Sequence, residues 1–180
     1  MDKRNISVRP ARTADFAEVK QVLADTFEST WRPEITEAAA ERYLSSDVGG
    51  HYVDENGLAF WVAEVDGQVA GMVHWSGDFI EALHVSGRFQ RLGLGRLLLA
   101  RAEQEIGKAG LQKVRLETDK FNQQSQAFYR ALGYVETANY PDEEWDSGLI
   151  TVLFEKPLGR MVTGQESHGL SHRAQLYACP

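Results

Sequence analysis

One cysteine in 180 residues, Cys179 next to the C-terminus, excludes an internal disulfide and reads as an incidental thiol. Long apolar runs are missing as well. The longest, residues 58–63, has six residues, far short of the ~18 that a membrane span needs. The opening stretch, MDKRNISVRPARTADF, has no apolar block of signal-peptide length, so a cytoplasmic protein is expected. Basic excess is absent too. Nineteen Lys and Arg face 26 Asp and Glu, a net charge of −7, which argues against broad binding to nucleic acid. No ligand set for a metal stands out: His168 and His172 lie four apart but are only two.

What is present is an ordinary soluble composition, 43% apolar and 25% charged, at a length that favours one domain. "ISVRP" alternates and stops at proline, a short strand. Thr13 or Asp15 can cap a helix through Ala17, Val19, Val22, Leu23 and Phe27, and a second helix is expected from Thr36 to about Leu44. The Gly49-Gly50 pair and the run Asp54-Glu55-Asn56-Gly57 read as loop and turn. "AFWVAEV" and "QVAGMVHWS" form a hairpin around Asp66-Gly67, and "FIEALHVS" is a third strand. Leu94, Leu97, Leu98, Ala102, Ile106 and Ala109 recur at helical spacing up to Gly110. Strand "KVRLETD", a helix capped by Asn122 and stopped at Gly133, and strands "YVETANY" and "LITVLFEK" follow. The series predicts a mixed α/β (α+β) domain over residues 1–156 with one large, partly antiparallel sheet. Residues 157–180 lose periodicity and read as a tail, disordered or packed on the surface.

Charge is unevenly spread. Residues 88–101 hold four arginines and no acid, and residues 136–146 hold five acids and no base. The arginines surround "FQRLGLGRLLL", where a strand has ended and a helix begins. At a helix start several N–H groups lack internal partners and the dipole adds positive potential. Glycines that keep side chains out of the way make such a start an anion site, most often for phosphate. No third glycine follows at Leu98, so this is not a dinucleotide fingerprint, and no Gly-Lys-Ser/Thr makes it a P-loop.

Gln90-Arg91-Leu92-Gly93-Leu94-Gly95 fits Gln/Arg-x-x-Gly-x-Gly/Ala, which resembles the acetyl-coenzyme A pyrophosphate loop of the GNAT superfamily of N-acetyltransferases. Leu83-His84-Val85 before it is similar to that family's Leu-x-Val, and Gly87 departs from the proline that many members carry. Asn122, Ser125, Phe128 and Tyr129, then Leu132-Gly133-Tyr134, resemble a second family element, with Ser125 in place of a small alanine. The resemblance spans residues 6–156. It implies a largely antiparallel sheet with a splayed central strand pair, flanked by helices. It also implies acetyl-CoA as co-substrate, with no metal. Leu83, His84 and Val85 would pair with the pantetheine arm, and the amides of residues 91–96, Arg91 and Arg96 included, would hold the pyrophosphate. Asn122 would contact the cofactor arm or a water, and Tyr129 would give a proton to the coenzyme A sulfur.

Acyl transfer to an amine needs a neutral nucleophile, a stabilised oxyanion and a proton for the departing thiolate. Glu81 is the first candidate for the base, an acid in an otherwise apolar strand and, by period two, on the face of Leu83 and Val85. His84, on the opposite face, comes second, a water chain is a third route, and His74 and His51 stand behind these. Trp31, Trp61, Trp75, Tyr140 and Trp145 are the aromatics available to line an acceptor pocket. The segment "ANYPDEEWDSGLITVLF" loosely resembles protein N-terminal alanine acetyltransferases but lacks their Glu-Asp-Ala-x-x-Met-like stretch. A small-molecule amine is therefore the expected acceptor, cationic if the acids of residues 136–146 flank its entrance. Neither nucleic acid nor membrane is expected as a partner, and a homodimer is left open. The competing readings are a protein N-terminal or lysine acetyltransferase and a non-catalytic acyl-CoA sensor.

Overall fold

A computed structural model describes residues 4–142 and 148–159. Its elements in chain order begin with β1 (Ile6–Pro10), α1 (Phe16–Thr26), α2 (Glu37–Ser45), α3 (Val48–Asn56), β2 (Trp61–Val65), β3 (Gln68–Ser76) and β4 (Phe79–Val85). They continue with α4 (Leu94–Lys108), β5 (Lys113–Asp119), α5 (Gln123–Ala131), β6 (Val135–Pro141) and β7 (Ile150–Pro157). The seven strands form one sheet in the order β1-β2-β3-β4-β5-β7-β6. All neighbours are antiparallel except β4 and β5, which α4 joins as a crossover.

Local chemistry explains most boundaries. Thr36 caps α2 by accepting from the Ala39 amide at 3.2 Å, and Asn122 caps α5 by accepting from Ser125 at 3.0 Å. Asp15 accepts from the Arg12 amide at 2.6 Å and from both terminal nitrogens of the Arg9 guanidinium, pinning the start of α1 to β1. Asp66 and Gly67, at φ of 52° and 84°, make the left-handed pair that closes β2 onto β3. The reading of Gly49-Gly50 and Asp54–Gly57 as loop and turn is overturned: residues 48–56 are α3. Here packing overrides propensity. A Cβ on Gly50 would strike the Asp47 carboxylate, one on Gly49 would meet the Tyr43 hydroxyl, and one on Gly57 would run into the Phe16 ring.

The sheet separates two cores. On one face Leu94, Leu98, Leu99, Ala102 and Ile106 of α4 pack with Ile80, Leu83, Val85, Val114, Leu116, Tyr129, Tyr134 and Phe154. On the other, Val19, Val22 and Leu23 of α1 and Tyr52 and Val53 of α3 pack with Val62, Val69, Met72 and Ala82. Beyond Gly107 and Gln112, Leu158 still packs on the α4 core, and its amide donates to the Gln112 carbonyl at 2.7 Å. The tail with His168, His172 and Cys179 lies outside the described residues beyond Gly159.

Candidate active site

β4 and β5 pair at only two positions, Phe79 with Arg115 and Ile80 with Leu116. Past these the strands part, and β5 continues in register with β7 alone, up to Asp119 opposite Thr151. The β5-facing backbone of β4 from Ala82 to Val85 therefore has no strand partner, which leaves a gap in the sheet. Gly71 lets β3 press close beside it, since a Cβ there would stand 2.7 Å from the His84 carbonyl oxygen.

The gap collects buried ionisable side chains that an apolar core would exclude: Glu81 and His84 from β4, Glu117 and Asp119 from β5. Glu81 is the extra residue of a β-bulge, because Ala82 lies opposite His74 and Ile80 lies opposite Trp75. The bulge breaks the period-two alternation and hands the α4 face to Ile80. Glu81 therefore does not share the face of Leu83 and Val85. Its charge instead acts on the Tyr52 phenol of α3, raising that phenol's pKa beyond what burial alone does. Glu81 thus joins the α1–α3 side, where His84 also lies.

His84 is fully enclosed, and burial pushes its pKa down to about 3. Its Nδ1 stands 2.9 Å from Thr26 Oγ1, which itself lies 3.1 and 3.0 Å from the carbonyl oxygens of Val22 and Leu23. A Thr26 proton spent on those carbonyls would leave its oxygen to accept from a His84 that carries its hydrogen on Nδ1. Asp119 accepts from the Trp31 indole at 2.7 Å. Burial lifts its pKa to about 7; the Trp31 bond opposes this, while the charges of Asp142 and Glu117 add to it. Tyr140 donates to Glu117. His74 shares a 2.5 Å hydrogen bond with Tyr52, and burial takes its pKa down to about 4; His51 is exposed on α3.

Of the aromatics expected at the acceptor side, Trp31 and Tyr140 reach acids of the gap. Trp61 and Trp75 pack instead on the α4 face. Trp145, Glu143, Glu144 and Asp146 lie outside the described residues. Asp142 of the acidic run is buried, and its amide donates to the Leu149 carbonyl.

On the α4 face, Tyr129 is wholly buried among Phe128, Tyr134 and Phe154, with ring centroids 5.3, 5.8 and 6.0 Å away. Glu81 and Tyr129 thus lie on opposite faces of the sheet. At the other end, Gln90 is extended, and Arg91 and Gly93 are left-handed, with φ of 65° and 79°. Gly93 starts the 15-residue α4 with no side-chain cap and no acid in its first turn, unlike α2 and α5 with their Thr36 and Asn122 caps. A Cβ on Gly93 would meet nothing within 4 Å, so the space over the loop is open. Arg91 and Arg96 are exposed beside it. Arg101 is not: its guanidinium stacks 4.6 Å over the Trp61 ring and bonds to Gln104 and Glu105.

Sequence reasoning missed Asp119 and Glu117, because "KVRLETD" reads as a plain alternating strand. The available signal was the pair of acids at the C-terminal end of a strand beside a crossover, where open α/β sheets place ligands.

The sequence matches the acetyltransferase (GNAT) family over residues 16–134 of 180. Phosphinothricin N-acetyltransferase of Streptomyces viridochromogenes is 27% identical over 173 residues, 87% of this chain and 92% of that protein. Probable N-acetyltransferase 14 of Danio rerio is 36% identical over 95 residues, 48% of this chain; the chain spans only 34% of that protein's length. Among solved structures, yncA of Salmonella typhimurium, with its cofactor acetyl-CoA, superposes with a TM-score of 0.66 at 19% identity over 90% of this chain and 99% of the other. The parted strands, the uncapped glycine loop and the family match agree: this chain belongs to the GNAT family of acetyltransferases.

Proposed function

We propose that the chain transfers the acetyl group of acetyl-CoA directly to the primary amine of a small molecule, both substrates being held together in the gap between β4 and β5. The observation that carries this reading is the parting of β4 from β5 after two paired positions, beside a long helix whose first turn has no side-chain cap. Residues of this chain fit acetyl-CoA on that ground. The amides of Arg91, Leu92, Gly93, Leu94, Gly95 and Arg96 would hold a pyrophosphate, as helix starts do, with Gln90 leading into the loop. The unpaired edge of Leu83, His84 and Val85 would take an amide-bearing arm as an added strand takes a sheet edge. Asn122 would flank that arm at the start of α5, together with the hydroxyl of Ser125, which is buried with no hydrogen-bond partner among the described residues.

Bound there, acetyl-CoA supplies the reactive thioester. Glu81 receives the proton that leaves the ammonium, making the nitrogen a nucleophile. Backbone N–H groups on the open edge of β4 donate to the carbonyl oxygen as it gains charge. As the C–N bond forms and the C–S bond breaks, Tyr129 gives its phenolic proton to the departing sulfur, and the second proton lost by the nitrogen restores the phenol. Burial of the gap keeps water away from the acyl group. Glu81, Glu117, Asp119 and Asp142 give the surroundings a negative field that favours a cationic acceptor. The name of the Streptomyces relative supports a small amine-bearing acceptor.

The test is a calorimetric titration with acetyl-CoA followed by a screen of amines for free-thiol release. Saturable binding and release with a small amine are expected. Folded protein that does not bind acetyl-CoA removes the proposal, and binding with no release by any amine makes the chain a sensor.

A further inference from the structure

His84 and Asp119 stand on opposite walls of the gap and share one neighbour, Trp31, in the turn that extends α1. The indole N–H is spent on Asp119 Oδ2, and the ring centroid lies 5.7 Å from that of His84. With its hydrogen on Nδ1, facing Thr26, His84 would hold a bare lone pair on Nε2. That atom and Asp119 Oδ1 are buried, with no hydrogen-bond partner among the described residues. Two buried acceptors with nothing to accept are costly in a folded protein and mark a place for a donor. An anion would be repelled by both, and an alcohol could satisfy only one of them. A primary ammonium has three N–H groups, a charge opposite to the carboxylate, and a flat indole for its cationic head.

We propose that His84 Nε2 and Asp119 Oδ1, with the Trp31 ring, form the subsite that takes the acceptor's nitrogen as a primary ammonium, each atom accepting one of its N–H groups. The purpose of the subsite rests on the acyl-transfer reading above; its binding step does not. Asp119 is then a specificity-determining residue, and Thr26 a positioning residue that fixes the His84 tautomer through Nδ1.

The test follows the ring nitrogens of His84 by 15N NMR at pH 8, where Asp119 is ionised, on the full chain without acetyl-CoA, titrated with n-butylammonium and, separately, with tetramethylammonium. Tetramethylammonium has the charge but no N–H. The expected result is a protonated Nδ1, an Nε2 resonance that moves saturably with n-butylammonium only, and a loss of about tenfold or more in that affinity in Asp119→Asn. An unmoved Nε2, equal shifts from both cations, or an Asp119→Asn chain of native affinity would overturn the subsite. Comparing the two cations on the native chain needs no variant, so a poorly folding Asp119→Asn leaves the question decidable. Calorimetry with acetyl-CoA on the same sample separates the two readings. Its failure would remove acyl transfer while a selective ammonium response would still establish the subsite.

Discussion

The loop at residues 90–96 and the gap between β4 and β5 are built from different materials. The loop is made of backbone: two left-handed residues, an uncapped helix start and open space over Gly93. The gap is made of side chains from distant segments, with Thr26 tied to His84 across 58 residues and Trp31 to Asp119 across 88. A backbone site is sensitive to what is added to it and indifferent to many side-chain losses. A side-chain site is sensitive to single atoms. Placing bulk in the loop and exchanging isosteres in the gap should therefore fail in different ways.

The largest effect is expected from bulk in the loop. Gly93→Trp fills the space over the first turn of α4 and forces a left-handed φ on an L side chain. Affinity for acetyl-CoA should fall on the order of a thousandfold, with the far-ultraviolet dichroism unchanged. Native affinity in this variant would mean that the loop does not hold the pyrophosphate. In the gap, Glu81→Gln should lower turnover about a hundredfold and leave acetyl-CoA affinity alone. Raising the pH should restore part of the rate, because more of the amine is then neutral without help. No rescue would make Glu81 structural and return the base to His84 or a water chain.

The same contrast decides what could be read from the sequence. The loop was legible because its chemistry needs particular residues in an unbroken run, and Gly93 and Gly95 announce it. The cap Asn122, the Asp66-Gly67 turn and the strand limits of β1 and β5 were legible for the same local reason. The bulge at Glu81 was not, since nothing in "FIEALHV" marks where alternation slips by one. Asp119 was hidden because an acid at the end of a strand is ordinarily solvated, and what covers it includes Trp31, 88 residues away. Helix α3 was missed because Gly49 and Gly50 serve close packing against Tyr43 and Asp47, which propensity does not see.

Burial of Asp119 sharpens the comparison further, for it should cost stability that the loop does not. A carboxyl whose pKa rises from 3.8 unfolded to about 7 folded holds its proton longer in the folded chain. Folding is then unpenalised below pH 3.8, and the penalty grows until about pH 7. Burial is the main cause; Glu117 and Asp142 face the group and add to it, and Trp31 offsets part. Asp119→Asn, which keeps an acceptor for Trp31, should be more stable than the native chain by roughly 4 kcal/mol at pH 8, with no difference near pH 3.5. His84 works the other way, with a pKa lowered from 6.5 to about 3, so its contribution is lost as pH falls through that range. Urea unfolding at the two pH values checks the sign. A smaller effect is expected at Tyr129→Phe, about tenfold in turnover with acetyl-CoA affinity within twofold, if the phenol serves the departing sulfur. A turnover equal to the native one would leave Tyr129 as a core ring among Phe128, Tyr134 and Phe154.

The smallest effect separates the two materials within the arginine cluster itself. Arg88, Arg91, Arg96 and Arg101 look alike in sequence, and a site that gathered charge would use all of them. A site made of backbone amides has no need to, and Arg101 is already engaged over Trp61 and with Glu105. Its removal costs a partly exposed cation–π contact and an i,i+4 ion pair, worth ~0.5–1 kcal/mol of stability together. Arg101→Ala should therefore lower the urea midpoint slightly and leave the affinity for acetyl-CoA unchanged at both low and high salt. A salt-dependent loss of affinity would mean that the field of the whole cluster, and not the loop's amides alone, holds the anion.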